Sequence, residues 1–177
     1  MGKIEREIIP DPFVGLVSSI VGQQISNKAA KTVWARLVKK LGKVTPENIL
    51  RMKTAHIQAC GMSHRKAHYI KGVAQAANSG HIDFNMLHSL EDDEIIRQLI
   101  TLQGVGIWTA EMLLIFSLSR PDIVSYRDLA IRRGMMSLYN LEDLSREEFE
   151  KYRQNYSPYG SVASLYLWKL SGVKSAF

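Results

Sequence analysis

The stretch Leu99-Ile-Thr-Leu-Gln-Gly-Val-Gly-Ile-Trp-Thr-Ala-Glu-Met-Leu-Leu114 decides the fold. It reads as helix on both sides of a break at Gly104-Val105-Gly106, and Trp108 follows the break almost at once. Asp92 or Asp93 can cap a helix running into Leu102, and helical spacing resumes from Ile107 to Ser119. Two helices joined by a two-glycine turn form a helix–hairpin–helix. A side chain at Gly104 or Gly106 is expected to obstruct the backbone of such a turn. The amides of the turn and of the next helix's first turn lack helical partners. They sit at a positive helix end, where a phosphate oxygen fits. A tight αα-corner that binds nothing has the same pattern, because short glycine turns are common between helices.

Helical signals continue outward from this hairpin. Asp11 caps a first helix with Pro12 in its first turn, and Phe13, Leu16, Val17, Ile20 and Val21 make one apolar stripe. Gly22-Gln23-Gln24-Ile25 ends it. Ser26 or Asn27 caps a second helix that runs to Gly42. Thr45-Pro46-Glu47 opens a short third, Thr54 to Cys60 is a fourth, and Ser63 caps a fifth from His64 to about Ser79. Leu87 to Leu90 is a short turn. Asp128 can cap a helix from Leu129 to Tyr139. Ser145-Arg146-Glu147-Glu148 is a capping box, and Ser161 to Leu170 is the last helix. No alternating strand pattern and no repeat occurs, so the predicted class is all-α.

The chain has 177 residues, 46% of them apolar, which is enough for one domain with a sizeable core. The net charge of +6 biases it toward polyanionic partners. A single cysteine, Cys60, rules out an internal disulfide, a cysteine-rich zinc site and a cysteine-held iron–sulfur cluster. It also favours an intracellular setting. The opening M-G-K-I-E-R-E-I-I-P has no apolar core, so no signal peptide is expected there. The run Met112 to Leu118 is too short to span a bilayer, so no membrane partner is expected.

Leu99, Leu102, Gly104, Val105, Gly106 and Ala110, with Asp128 placed 22 positions after Gly106, resemble the helix–hairpin–helix (HhH-GPD) DNA glycosylase superfamily. Gln103 stands where that family usually has proline. The segments Asp11 to Ala30, G-M-S-H-R-K-A-H-Y-I (Gly61 to Ile70), G-V-G-I-W-T-A-E-M and Y-S-P-Y-G-S-V-A-S-L-Y-L-W are similar, in order, to the 3-methyladenine DNA glycosylase II (AlkA-type) branch. The resemblance implies two helical lobes with the active-site cleft between them. Residues 11–127 form a helical barrel that includes the helix–hairpin–helix at 92–119. Residues 1–10 and 128–177 form the second lobe. The separate β-domain of larger members is not expected. The implied partner is double-stranded DNA with damaged bases, bound by a monomer in the cytoplasm beside the nucleoid, or in the nucleus of a eukaryote. No cofactor is required. A structural Na+ or K+ held by the backbone carbonyls of Leu102 and Gly104 fits the family pattern.

Asp128 would be the catalytic residue. Cleaving an N-glycosidic bond builds positive charge on the sugar, and a fixed carboxylate stabilises it and orients water. By preference alone Asp128 is also a plain helix cap. Strand-cutting members have a lysine, which forms a Schiff base, where this chain has Trp108. No lysine occurs between Lys71 and Lys151. The resemblance therefore implies base removal by water. Trp108 would line the base pocket and attract a cationic alkylated purine, although it could equally fill a core. Tyr159, Tyr126, Met112, Glu111 and Gln23 are further pocket candidates, with Gly160 standing where the family often has arginine. A flipped nucleotide leaves a gap. Ile25 or Gln24 would fill it, unless Ile25 only extends the apolar stripe of the first helix. Gly104, Val105, Gly106, Thr109, Ser63 and Lys66 are candidates for the DNA backbone. Lys28, Lys31, Arg65, Arg127, Arg132 and Arg133 are basic neighbours that could also be plain surface charge. His64, His68 and His81 have no metal-ligand spacing. Two rival readings stay open: the same scaffold acting on hypoxanthine, uracil or an oxidised purine, and a DNA-binding module without catalysis. Asp128 discriminates the second.

Overall fold

The computed structural model describes residues 2–172, and among them there is no strand. Helix α1 (Pro12–Gly22) starts where the Asp11 carboxylate accepts the Val14 N–H at 3.1 Å. Such a cap contributes about 1 kcal/mol. Seven of its residues are buried, so α1 is the central helix. It packs against α2 (Asn27–Leu41), α5 (His64–Asn78) and α7 (Ile107–Phe116). The short α3 (Pro46–Arg51) and α4 (Thr54–Gln58) both lie on α5. Helix α6 (Asp92–Leu99) pairs with α7 to make the hairpin. After it come α8 (Leu129–Tyr139), α9 (Arg146–Gln154) and α10 (Gly160–Leu170), with α8 packed closely on α10. Leu16, Ile20, Leu37, Ile70, Leu99 and Leu114 are fully buried in the core that these contacts enclose. No helix among the described residues is long and apolar enough to cross a membrane. Met1 and residues 173–177, which the predicted second lobe includes, lie outside the described residues.

The predicted caps at Ser26, Ser63, Asp128 and Ser145 all accept backbone N–H groups as expected. Neither Asp92 nor Asp93 caps α6. Glu91 holds the cap position without a side-chain bond. Asp92 instead pairs with Arg120, Oδ1 to Nε at 3.1 Å. That guanidinium also donates to the carbonyls of Leu87, His88 and Leu90, so the carboxylate anchors the crossing between the turn before α6 and the end of α7. Helix α6 stops at Leu99, short of the predicted Leu102. There the Leu102 N–H turns back to Leu99 O and the Val105 N–H to Leu102 O, which tightens the chain into turns. Helix α7 stops at Phe116, short of Ser119. Ser117 and Leu118 both donate to Leu113 O, and Ser119 has a left-handed φ of 54°.

Candidate active site

The two hairpin glycines serve different purposes. Gly104 has φ +83°, and a Cβ there would lie 2.2 Å from the ring of Tyr69. It satisfies the expectation on both counts, conformation and space. Gly106 does not. Its φ of −100° suits any residue, and a Cβ would meet nothing within 4 Å. Gly106 is the N-cap of α7 and offers no capping side chain, so this helix end is left bare on an exposed corner. Val105 and Thr109 are buried, and the Val105 N–H is already taken within the turn, which leaves the Thr109 amide in the first turn of α7 for an outside contact. Leu102 O already accepts the Val105 N–H at 3.1 Å, and Gly104 O accepts the Gln23 Nε2–H at 2.9 Å. The two carbonyls expected to hold a monovalent cation therefore each accept one hydrogen bond and keep a second lone pair. Among the described residues, no group of His, Cys, Asp and Glu could hold a metal ion.

The Gln23 bond ties the connection after α1 to the hairpin. Lys66 ties it to α5: its ammonium donates to Val21 O at 2.8 Å and also to Gln23 O. Desolvation pushes its pKa below the ordinary lysine value. Lys66 was expected to meet a DNA phosphate; its charge is spent inward, on the carbonyls left open at the end of α1. Ser63 is exposed and its hydroxyl accepts the Lys66 N–H, so it acts as the cap of α5.

Between this bolted connection, α7 and the N-terminal segment lies a cavity of about 940 Å³. Gln23, Gln24, Ile25, Trp108, Thr109 and Met112 all line it. Its size suits a nucleobase with room to spare. Ile25 is 38% exposed, so it is not a core extension of α1. Gln24 beside it has a left-handed φ of 57°. Lys31 of α2 and residues Glu5, Arg6 and Glu7 line the same cavity, which the sequence did not suggest.

Trp108 reaches from this cavity to Asp128, its Nε1–H donating to Oδ2 at 2.9 Å. The other carboxylate oxygen accepts the N–H groups of Ala130 and Ile131 at 2.8 and 3.0 Å. Asp128 thus caps α8 and is bonded to the cavity wall at once. Its charge is held at the positive end of α8 by three donors and is 7% exposed.

Three expected pocket residues lie elsewhere. Glu111 and Tyr126 line a second cavity of about 940 Å³ together with Arg127, Arg132, Arg146 and Arg153. The helical period sets this: Ile107 and Glu111 form one i,i+4 row along α7, and Trp108 and Met112 form the adjacent row about 100° around the axis. Tyr126 packs edge-on to Phe149 and carries the Arg132 guanidinium 5.1 Å above its ring. Burial raises the Glu111 carboxyl pKa, with the Ser125 hydroxyl and the Arg127 charge opposing, Asp128 adding and Arg153 opposing. Tyr159 is 68% exposed at the start of α10 and lines neither cavity. The following Gly160 donates its N–H to Asp122 Oδ1 at 3.0 Å, and a Cβ there would lie 2.5 Å from that oxygen. No arginine fits in its place without a shift.

The family model described as "HhH-GPD superfamily base excision DNA repair protein" matches residues 17–158. A relative from Schizosaccharomyces pombe named DNA-3-methyladenine glycosylase 1 is 36% identical, over 91% of this chain and 73% of its own length. The DNA-3-methyladenine glycosylase of Saccharomyces cerevisiae is 29% identical, over 94% and 69%. Among solved structures, a DNA-3-methyladenine glycosidase from Bacillus halodurans superposes with TM-score 0.86 at 37% identity, covering 97% of this chain and 81% of that one. The S. pombe 3-methyladenine DNA glycosylase bound to abasic DNA superposes with TM-score 0.84 at 33% identity, covering 99% and 89%.

Proposed function

The chain belongs to the HhH-GPD superfamily of base excision DNA repair proteins, and from that premise we propose that it is an alkylpurine DNA glycosylase that releases 3-methyladenine and related bases by hydrolysis. The observation that carries this reading is the Trp108–Asp128 hydrogen bond, which joins a carboxylate held by three donors to the wall of a base-sized cavity.

The lesion nucleotide leaves the duplex and its base enters the cavity against the Trp108 face, which attracts the positive ring of an N-alkylated purine. As the glycosidic bond lengthens, charge grows on the sugar beside Asp128. The carboxylate needs no reorganisation to meet it, because its donors are already in place. The cationic base leaves neutral with the electron pair of the broken bond, water adds to the sugar and sheds its proton to solvent, and an abasic site is left. Ile25 and Gln24, on a connection bolted to the hairpin and to α5, enter the stack behind the departed base. Gly104 and Gly106 let a DNA backbone approach the bare end of α7. In this reading the cavity borders the barrel lobe (11–127) and the N-terminal part of the second lobe (1–10 with 128–177). The protein acts as a monomer on chromosomal DNA, and no step uses a cofactor.

The test is a panel of duplexes carrying 3-methyladenine, hypoxanthine, uracil or an oxidised purine, assayed for abasic-site formation. Release of the alkylated base above the others is expected. Preference for another lesion overturns the substrate, and no release from any of them favours a binding module. Borohydride reduction during turnover is expected to trap no protein–DNA adduct. A trapped adduct would overturn attack by water and point to Lys31, the one lysine among the residues lining the cavity.

Gly106→Ala gives a further check on the hairpin. Its backbone and space are ordinary, so the melting temperature should hold, while affinity for an abasic-site duplex should fall several-fold as the methyl group blocks the approach of a phosphate. Unchanged affinity would remove the α7 end from the DNA interface.

A further inference from the structure

Asp128 is attached to α7 at more than one point. The Glu111 carboxylate accepts the Ser125 Oγ–H at 2.5 Å. Ser125 is fully buried, and its carbonyl accepts the Asp128 N–H at 3.3 Å. Trp108 and Glu111 are three residues apart on α7, and Asp128 and Ser125 are three apart on the incoming turn. The helix and the turn therefore meet in antiparallel register through two side-chain bonds, Trp108 to Asp128 and Glu111 to Ser125. The cap bonds from Ala130 and Ile131 fix the carboxylate to α8, but α8 follows this turn and moves with it. The two α7 bonds tie the turn back to the helix that lines the base cavity.

We infer that Glu111 is a positioning residue for the reaction: through Ser125 it holds the turn that sets where the Asp128 carboxylate stands relative to a base lying against Trp108. This rests on the glycosylase reading above. Glu111 itself lines the second cavity and not the one that Trp108 lines, so it does not touch substrate. Its burial, together with the Ser125 hydroxyl and the Arg127 and Arg153 charges around it, marks it as a held group instead of a solvated surface acid.

The experiment compares Glu111→Ala, Ser125→Ala, the double variant and Glu111→Gln in single-turnover base release, binding to an abasic-site duplex, and thermal melting. Misplacement of a reacting group by about 1 Å costs on the order of 100-fold. Each alanine variant is expected to slow release by roughly 10- to 100-fold, with duplex affinity close to wild type. The double variant should be no slower than either single, since both remove one bond. Glu111→Gln keeps an oxygen acceptor for Ser125 and should stay near the wild-type rate. A wild-type rate in Glu111→Ala, additive losses in the double variant, or a rate loss that only tracks melting or affinity would each overturn the inference. A readout independent of turnover separates it from the functional proposal. The Trp108 indole N–H resonance, assigned with Trp108→Phe, should shift and exchange faster in Glu111→Ala but not in Glu111→Gln. If wild type releases no base, the glycosylase reading fails, while this resonance still shows whether Glu111 holds the Asp128 turn.

Discussion

Asp128→Asn is expected to abolish nearly all base release while leaving the protein folded and able to bind DNA. Asparagine caps helices about as well as aspartate, so the bonds from Ala130 and Ile131 survive and α8 still starts in place. The second position changes more. With its oxygen turned to the two amides, the new side chain presents an NH2 group to the Trp108 Nε1–H, donor against donor, where the carboxylate accepted at 2.9 Å. Trp108 loses its anchor and the sugar loses its counter-charge. Removing one preorganised charge partner from a transition state typically costs 10²- to 10³-fold, and two roles are lost here, so a fall of about 10³-fold or more is expected. Single-turnover release from the preferred lesion duplex measures it, with abasic-duplex affinity and melting temperature as controls. An Asn variant that works at the wild-type rate would sink the mechanism, and one that melts much earlier would reduce Asp128 to its cap.

Gly134→Ala is expected to have the largest effect on stability. Gly134 lies in the middle of α8 and is buried against α10. A Cβ there would fall 2.0 Å from the Leu167 backbone oxygen and 2.7 Å from its carbonyl carbon. Backbone cannot step aside as a flexible side chain can, so the two helices must separate. The Tyr69 ring that confronts Gly104 at a similar distance has, by contrast, a rotatable side chain. Overpacking of this kind costs about 3 kcal/mol or more. For a domain of this size that lowers the melting temperature by roughly 10 °C. Since Asp128 caps α8, the same shift displaces the carboxylate, and base release should fall along with stability. A variant that melts within about 2 °C of wild type would show that α8 and α10 do not approach as closely in solution.

Local signals carried most of the helices. Ser26, Ser63, Asp128 and Ser145 stand at helix starts because a short polar side chain satisfies amides within its own next turn; at Asp128 the distant Trp108 takes only the oxygen that the cap leaves open. Asp92 failed the same rule because a distant group did compete: Arg120, close to α6 only after folding, takes its charge. Gly104 and Gly106 look alike in sequence. Only the placement of the Tyr69 ring and the two backbone angles separate a glycine that must be there from one that leaves a helix end open. Lys66 is one more basic residue in the chain until α5 packs on α1 and brings the open carbonyls of Val21 and Gln23 within its reach.

The sequence by itself determined the all-α class, the hairpin, and the residues Asp128 and Trp108 as a pair worth testing, since caps, periodicity and motif spacing act over a few residues or one motif. Tertiary structure decided which of the candidates share a cavity. Trp108, Met112, Gln23, Gln24 and Ile25 meet in one, Glu111 and Tyr126 face another, and Tyr159 lies outside both. The reason is geometric. Residues three or four apart on α7 are known to be neighbours, but which side of the helix meets α1 and which meets the Ser125–Asp128 turn depends on how distant helices pack.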